Sequence, residues 1–315
     1  MQKLSKKQSE ASVDQAPAYE IHELYKGRVQ VKFYPRSHQY WVSIDGGEFE
    51  RRTGVTTIIG IKDKSIPLQS WQQMITFGHL LKCIDEKKDL DIELAAEAVL
   101  QCNIVKEEAA DIGKEIHSWC EAYIKHKLKE PGCHNLPDIP KFPEALQGVN
   151  SFLEWEKKHK VQFVSTEKIV YSLEDDYIGI EDVIFFVDGK FCDGDFKSSN
   201  GLYNGVRLQT AAYSKARIEE GGRKSQGRWA IRLSKYSEEE YNKREEQKKE
   251  LKKLLAKFTG KTYREHPIKP YRVFEAKFLD DNKNYYQRDL EAFYGFKNGF
   301  DWNKLTDPFL VGEDW

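Results

Sequence analysis

The 315 residues hold five cysteines, Cys83, Cys102, Cys120, Cys133 and Cys192, and no two of them form a C-x-x-C pair. That scatter argues against a zinc ribbon, an iron-sulfur cluster and a disulfide framework, and it fits a reducing, cytosolic setting. No apolar run approaches the ~18 residues of a membrane span. The opening stretch MQKLSKKQSEASVDQ lacks the apolar centre of a signal peptide, so residues 1–20 are expected to form a disordered tail. An excess of one charge sign is missing as well: 50 Lys and Arg stand against 51 Asp and Glu, a formal charge of -1. No global basic field therefore advertises a nucleic-acid partner, and any such binding must come from a local patch. There is no H-E-x-x-H helix and no G-x-S-x-G elbow, which leaves peptidase and esterase readings without support. Gly260-Lys261-Thr262 ends like a phosphate-binding loop, but the position five before Gly260 is Leu255 and no strand precedes it, so ATP hydrolysis is not supported. No internal repeat is present.

Patterning gives an α/β chain. Val29 to Pro35 and Gln39 to Ile44 read as strands, and Asp45-Gly46-Gly47 turns the second into a further β segment ending near Ile61. Leu68 to Ile84 and Ile92 to Cys102 read as helices. From Val105 to Leu128 the apolar positions Val105, Ala109, Ile112, Ile116, Trp119 and Tyr123 step by four and three, which predicts a helix. Phe142 to Lys160 is a further helix, followed by a strand at Phe163 to Tyr171, a hairpin, a helix from about Val206 to Glu219 and a strand at Trp229 to Leu233. The order is helix, three strands, helix, strand. Tyr236 to Phe258, dense in alternating acid and base, predicts a solvent-exposed helix inserted before a strand at Tyr271 to Phe278. Gln287 to Phe300 closes the chain as an amphipathic, aromatic-rich helix.

The hairpin carries the chemistry. Asp188-Gly189 between apolar runs is the signature of a two-residue type I′ turn. Val187 then faces Lys190, and counting outward sets Asp182 opposite Asp195 as a non-hydrogen-bonded pair, whose side chains lie closer. Two like charges at ~5 Å repel by roughly 3 kcal/mol at an effective dielectric of about 20, so a cation should compensate them. Lys197, two residues beyond Asp195, points to the same face. Two oxygen donors beside a lysine match a site for Mg²⁺ or Mn²⁺ acting on a phosphate. Asp193-Gly194 offers an alternative turn, which would move Asp182 away from Asp195 and leave Lys197 in a loop.

Other residues gather around this pair. Gly113, His117 and Glu121 recur every fourth residue and share one helix face, where the glycine admits close approach and His117 offers an imidazole. Gln209 and Tyr213 repeat the spacing on the later helix. Between Val206 and Lys235 eight bases, including Arg207, stand against two acids, a local excess that a phosphate backbone would seek.

Taken together, these residues resemble the PD-(D/E)XK nuclease superfamily, specifically its RecB-like exonuclease branch. The match is Gly113-x-x-x-His117, Gly179-x-x-Asp182, Asp195-x-Lys197 and Gln209-x-x-x-Tyr213, in the family's order, over about residues 105 to 233. His38-Gln39-Tyr40, Thr53-Gly54-Val55-Thr56-Thr57 and Trp71 are similar to the lead-in of phage-type members. The resemblance implies a mixed central β-sheet flanked by helices with an α-β-β-β-α-β core over residues 105–315, a strand and helix lobe over 21–104, and a charged insertion at about 236–270. It implies that His117, Asp182, Asp195 and the carbonyl of Phe196 bind one or two Mg²⁺ or Mn²⁺ ions and that Lys197 serves catalysis. Glu167 matches a family glutamate and is counted, with Gln209, Tyr213 and Arg207, among substrate-binding candidates. The iron-sulfur cysteines of some relatives are missing.

The function so implied is hydrolysis of DNA phosphodiesters, as an exonuclease on ends in recombination, repair or phage DNA processing, in the cytoplasm of a bacterial or phage-infected cell. DNA is the expected partner, together with a single-strand annealing or recombination protein, and no membrane. Competing readings are a site-specific or structure-specific endonuclease of the same fold, and an inactive DNA-binding or assembly module.

Overall fold

The computed structural model describes residues 19–89, 91–260 and 262–305, so nearly all of the expected tail lies outside the described residues. The chain is α/β, with seven α-helices and two sheets among those residues. The first sheet is an antiparallel meander of β1 (Glu20–Leu24), β2 (Val29–Tyr34), β3 (Gln39–Ile44) and β4 (Glu50–Arg52). Strict alternation on β2 buries Val29, Val31 and Phe33 on one side, where they join Tyr40 and Val42 of β3.

After β4 the chain departs from the sequence reading. Val55–Ile59 forms a short helix, α1, instead of continuing the β segment. The β-branched run Val55-Thr56-Thr57-Ile58-Ile59 favours a strand locally, but Val55 and Ile58 lie one helical turn apart and are both buried against the helices described below. The amides of Thr57 and Ile58 turn back to the Gly54 carbonyl. Helix α2 (Ser65–Asp85) follows, then α3 (Ile92–Leu128). Two helices were expected where α3 is one, since Asn103-Ile104 contains no breaker; its N-terminus is capped by Asp91, which accepts from the Leu94 amide. The expected lobe boundary at 104 thus falls inside a continuous helix.

The second sheet contains β5 (Gln162–Ser172), β6 (Tyr177–Val187), β7 (Lys190–Lys197), β8 (Gly227–Leu233) and β9 (Phe274–Asp280), hydrogen-bonded in that order. Only β7 and β8 run parallel, and the crossover they require is α5 (Gly205–Glu219). Helix α4 (Pro143–His159) precedes β5, α6 (Glu238–Thr259) lies between β8 and β9, and α7 (Tyr285–Leu305) ends the described chain. α6 buries none of its residues, and its ends are set by a capping box between Ser237 and Glu240 and by Gly260 at φ +67.

The two faces of this sheet are covered differently. Ile116 of α3 with Phe152 and Trp155 of α4 pack on Val183, Phe185, Phe196 and Ile231. On the opposite face α1, α5 and α7 contribute Val55, Ile58, Ala211, Ala212, Ala216 and Phe293 against Val170 and Tyr177. Each large apolar side chain so buried stabilises the fold by roughly 1.5–3 kcal/mol. The first sheet rests on the β5/β6 end through Ile169, Tyr171 and Ile178. No helix among the described residues is long and apolar enough to cross a membrane.

Candidate functional site

The β6–β7 turn is formed by Asp188 (φ 50) and Gly189 (φ 72), both left-handed as a type I′ turn requires. The ladder runs from Val187 opposite Lys190 to Val183 opposite Gly194 and stops there, one residue before Asp182 and Asp195. Gly194 leaves room at this point: a Cβ would press on Phe185 and Val183, at 2.6 and 2.8 Å.

The strands part because the alternation of β6 breaks at Asp182. Gly179 and Glu181 face α5, where a Cβ on Gly179 would run into the Tyr213 ring and Glu181 pairs with Arg217 at 3.1 Å. Val183 and Phe185 face α3 and α4 instead. Residues two apart should share a face, so the chain kinks between them. On β5 the pairs either side of the kink are Thr166 with Val183 and Lys168 with Glu181, and Glu167 between them holds φ +47. A left-handed glutamate inside a strand is a strained conformation of the kind that clusters at functional sites.

This irregularity aims carboxylates toward α3. His117, Glu167 and Asp182 each offer one ligand atom, and those atoms lie within 4.8 Å of one another. His117 Nδ1 is 3.8 Å from Asp182 Oδ2, which also accepts a hydrogen bond from the Phe196 amide at 2.9 Å. Gly113, one turn before His117, lets α3 approach the chain after β7: a Cβ there would be 2.9 Å from Ser198 Oγ. Asp195 does not belong to that trio but lies beside it, its side chain 1% exposed, with Lys197 Nζ 2.7 Å from its Oδ2. Lys197 is the donor nearest to Asp195, and the other carboxylate oxygen, Oδ1, accepts no hydrogen bond.

Electrostatics follow from packing three acids into one recess. Burial, reinforced by the Asp182 charge, pushes the Glu167 carboxyl up to about 9. Burial and Asp182 push Asp195 up to about 7 against the pull of Lys197. Asp182 is raised by burial although Lys197 and the Phe196 amide work the other way. His117 keeps about a third of its side-chain surface open, yet the crowding around it and the Lys197 charge hold it down to about 4. At neutral pH it is therefore a neutral imidazole with a lone pair to give. One imidazole and hard carboxylate oxygens, beside a buried Asp195 whose Oδ1 accepts no hydrogen bond, fit a divalent cation.

That fit has a pH signature. Glu167 and Asp195 bind protons more tightly folded than unfolded, so the stability they contribute is present below about pH 4 and is lost as pH rises toward their raised values. A cation displaces those protons. The rise in Tm produced by saturating Mn²⁺ should accordingly be larger at about pH 8.5 than at about pH 5.5, as read by calorimetry. An increment that does not change with pH would contradict this account.

The remaining sequence candidates divide. Gln209 donates to the Tyr213 hydroxyl at 3.2 Å, and the Tyr213 phenol is raised by burial first and then by the charges of Asp182, Tyr40 and Asp195. Both thus border the recess. Arg207 is instead held by Asp289 of α7 at 2.7 Å. The basic excess around it is mostly neutralised inside the fold and does not form the expected patch: Arg217 pairs with Glu181 and Asp193, Arg228 with Asp281 and Asp289, Lys215 with Glu174 and Glu219, Arg232 with Glu275. All of these acids except Glu219 lie outside the counted window. Sequence reasoning gave Glu167 to substrate binding and missed Tyr40, whose phenol is raised by burial and then by Glu167; His38-Gln39-Tyr40 was the available signal. No family model matches the chain, and no curated protein gives a significant match.

Proposed function

We propose that this protein is a divalent-metal-dependent deoxyribonuclease that hydrolyses DNA phosphodiester bonds, acting on ends with Mg²⁺ or Mn²⁺. One observation carries the reading: donors from His117, Glu167 and Asp182 converge within 4.8 Å, and the Lys197 ammonium stands beside them on Asp195. The α-β-β-β-α-β order from α4 to β8 is in keeping with it.

A divalent ion held by His117, Glu167 and Asp182, with Asp195 and the Phe196 carbonyl adjoining, would supply charge neutralisation at a phosphate oxygen and acidify an attacking water. The chain supplies the rest. Burial opposes charge on Lys197, but Asp195 and Asp182 outweigh it and its affinity for the proton is raised. Lys197 is therefore an ammonium at neutral pH: it donates to the water or to the phosphate oxygens and does not abstract a proton. Asp195 fixes that ammonium in place. Tyr213 and Gln209, both buried, back the recess on the α5 side.

The test is incubation of the protein with end-labelled linear DNA, single- and double-stranded. Cleavage is expected with Mn²⁺ or Mg²⁺, is lost on chelation and returns when the ion is restored, and Asp182→Asn lowers it by about 10². No cleavage of either DNA with either ion would overturn the proposal.

A further inference from the structure

Three helices stand at the end of the second sheet where its middle strand, β7, finishes in Lys197. α1 ends beside the start of α5, where Ile59 lies 3.6 Å from the position of a Cβ on Gly205, and α2 begins six residues later at Ser65. α2 then runs along the outer half of α3, with His79 3.4 Å from Glu97. α6 leaves the same end from β8, whose Arg232 is level with Lys197. Its root is fixed on α4: Ser151 Oγ donates to the Ser234 carbonyl at 2.8 Å, and Arg244 lies 4.0 Å from Glu144. α2 is thus rooted on the α5 face of the sheet and α6 on the α4 face.

The two meet away from the sheet. Leu251 Cδ2 is 3.2 Å from the position of a Cβ on Gly78, and the rings of Phe77 and Phe258 stand edge to face at 6.1 Å. This contact closes a ring of protein: α1, α2, α6, the end of β8, the end of β7 with Lys197, the chain to α5, and back to α1. Asp195, 1% exposed, is 2.7 Å from Lys197 on that ring, and Asp182, 11% exposed, accepts from the amide of the neighbouring Phe196. Between Lys248 and Lys257 the outer part of α6 carries five lysines, of which Lys248 and Lys249 pair with Glu245 and Glu265, leaving Lys252, Lys253 and Lys257 outside any ion pair among the described residues, and Phe258 beyond them is 71% exposed.

We infer that α2 and α6 bridge the candidate centre and that DNA reaches it as a single strand passed end first beneath the bridge. The inference rests on the nuclease reading for its chemistry. A closed ring admits a polymer only by its end. Acids this deeply recessed meet a scissile phosphate only on a strand narrow enough to descend to them. The lysines and the exposed phenylalanine of α6 supply what an unpaired strand needs, charge for its backbone and a ring for its bases.

The full chain should be titrated, in Ca²⁺, with one fluorescent single-stranded oligonucleotide in three forms: linear, linear with streptavidin on both ends, and ligated into a circle. The free linear form is expected to bind at least about tenfold more tightly than the other two and, with Mn²⁺, to be cut at least about tenfold faster. A circle bound and cut as well as the linear strand overturns the bridge, and a blunt duplex bound as tightly as the linear strand overturns the single-strand assignment. Discrimination in binding with no cleavage of any form overturns the nuclease reading and leaves the bridge standing. Opening the contact with Gly78→Glu and Leu251→Glu, two like charges where apolar groups now touch, should raise binding of the circle several-fold; no rise counts against the bridge.

Discussion

Lys197→Ala should lower the rate of DNA cleavage by about 10²–10³ while the protein stays folded. The ammonium is 28% exposed and holds one partner, Asp195. Its loss does not strand a charge, because Asp195 already titrates at about 7 and can take up a proton in place of the ion pair. Folding stability should therefore change little. The ligands His117, Glu167 and Asp182 remain, so the Tm increment given by Mn²⁺ should persist in the variant. Both measurements are needed: a variant that loses activity together with its response to Mn²⁺ has lost the cation and says nothing about catalysis. Undiminished cleavage by Lys197→Ala would remove lysine from the mechanism.

The largest effect on stability is expected at Arg217, far from solvent at 2% exposure on α5. Its guanidinium reaches Glu181 of β6 at 3.1 Å and also binds Asp193 of β7, both nearly fully buried. It donates further to Ser225 and to the Arg223 carbonyl. Burial raises Glu181 well above the usual carboxylate range, with Asp193 adding to the shift and Arg217 opposing it. Arg217→Ala would leave two acids in the core with no cation, a loss of about 3–5 kcal/mol on removing one partner of a buried ionic group. The sign with pH follows from Glu181: without the opposing guanidinium it holds its proton still more tightly folded than unfolded, so the deficit should widen as pH rises from about 5 to about 8. Urea midpoints at the two pH values measure it, and a change below about 1 kcal/mol at both would show that the network does not stabilise the fold.

What could be read from the chain was local. Asp188-Gly189 fixes its own turn and with it the register as far as Val183 and Gly194, and the Lys197 side chain meets Asp195 because two residues on one strand share a face. The caps of α6, Ser237 with Glu240 and Gly260, are likewise written in sequence. What could not be read depends on distant partners. Val55–Ile59 is helical only because α5 and α7 receive Val55 and Ile58. No local rule places a glutamate at φ +47, so the kink that turns Glu167 and Asp182 toward His117 was invisible, and with it the identity of the third convergent ligand. The basic excess after Val206 misled for the same reason: Asp281 and Asp289, which neutralise Arg228, are some fifty to sixty positions away.

α3 has a mechanical consequence. Its 37 residues form one rod of ~55 Å, braced where Gly113 touches the chain after β7. His117 is four residues inward from that fulcrum, roughly 6 Å, and the far tip twenty-one residues outward, roughly 30 Å. Such a lever scales motion down about fivefold, so a swing of ~5 Å at the tip reaches the imidazole as ~1 Å, a misplacement on the scale that costs catalysis about 10².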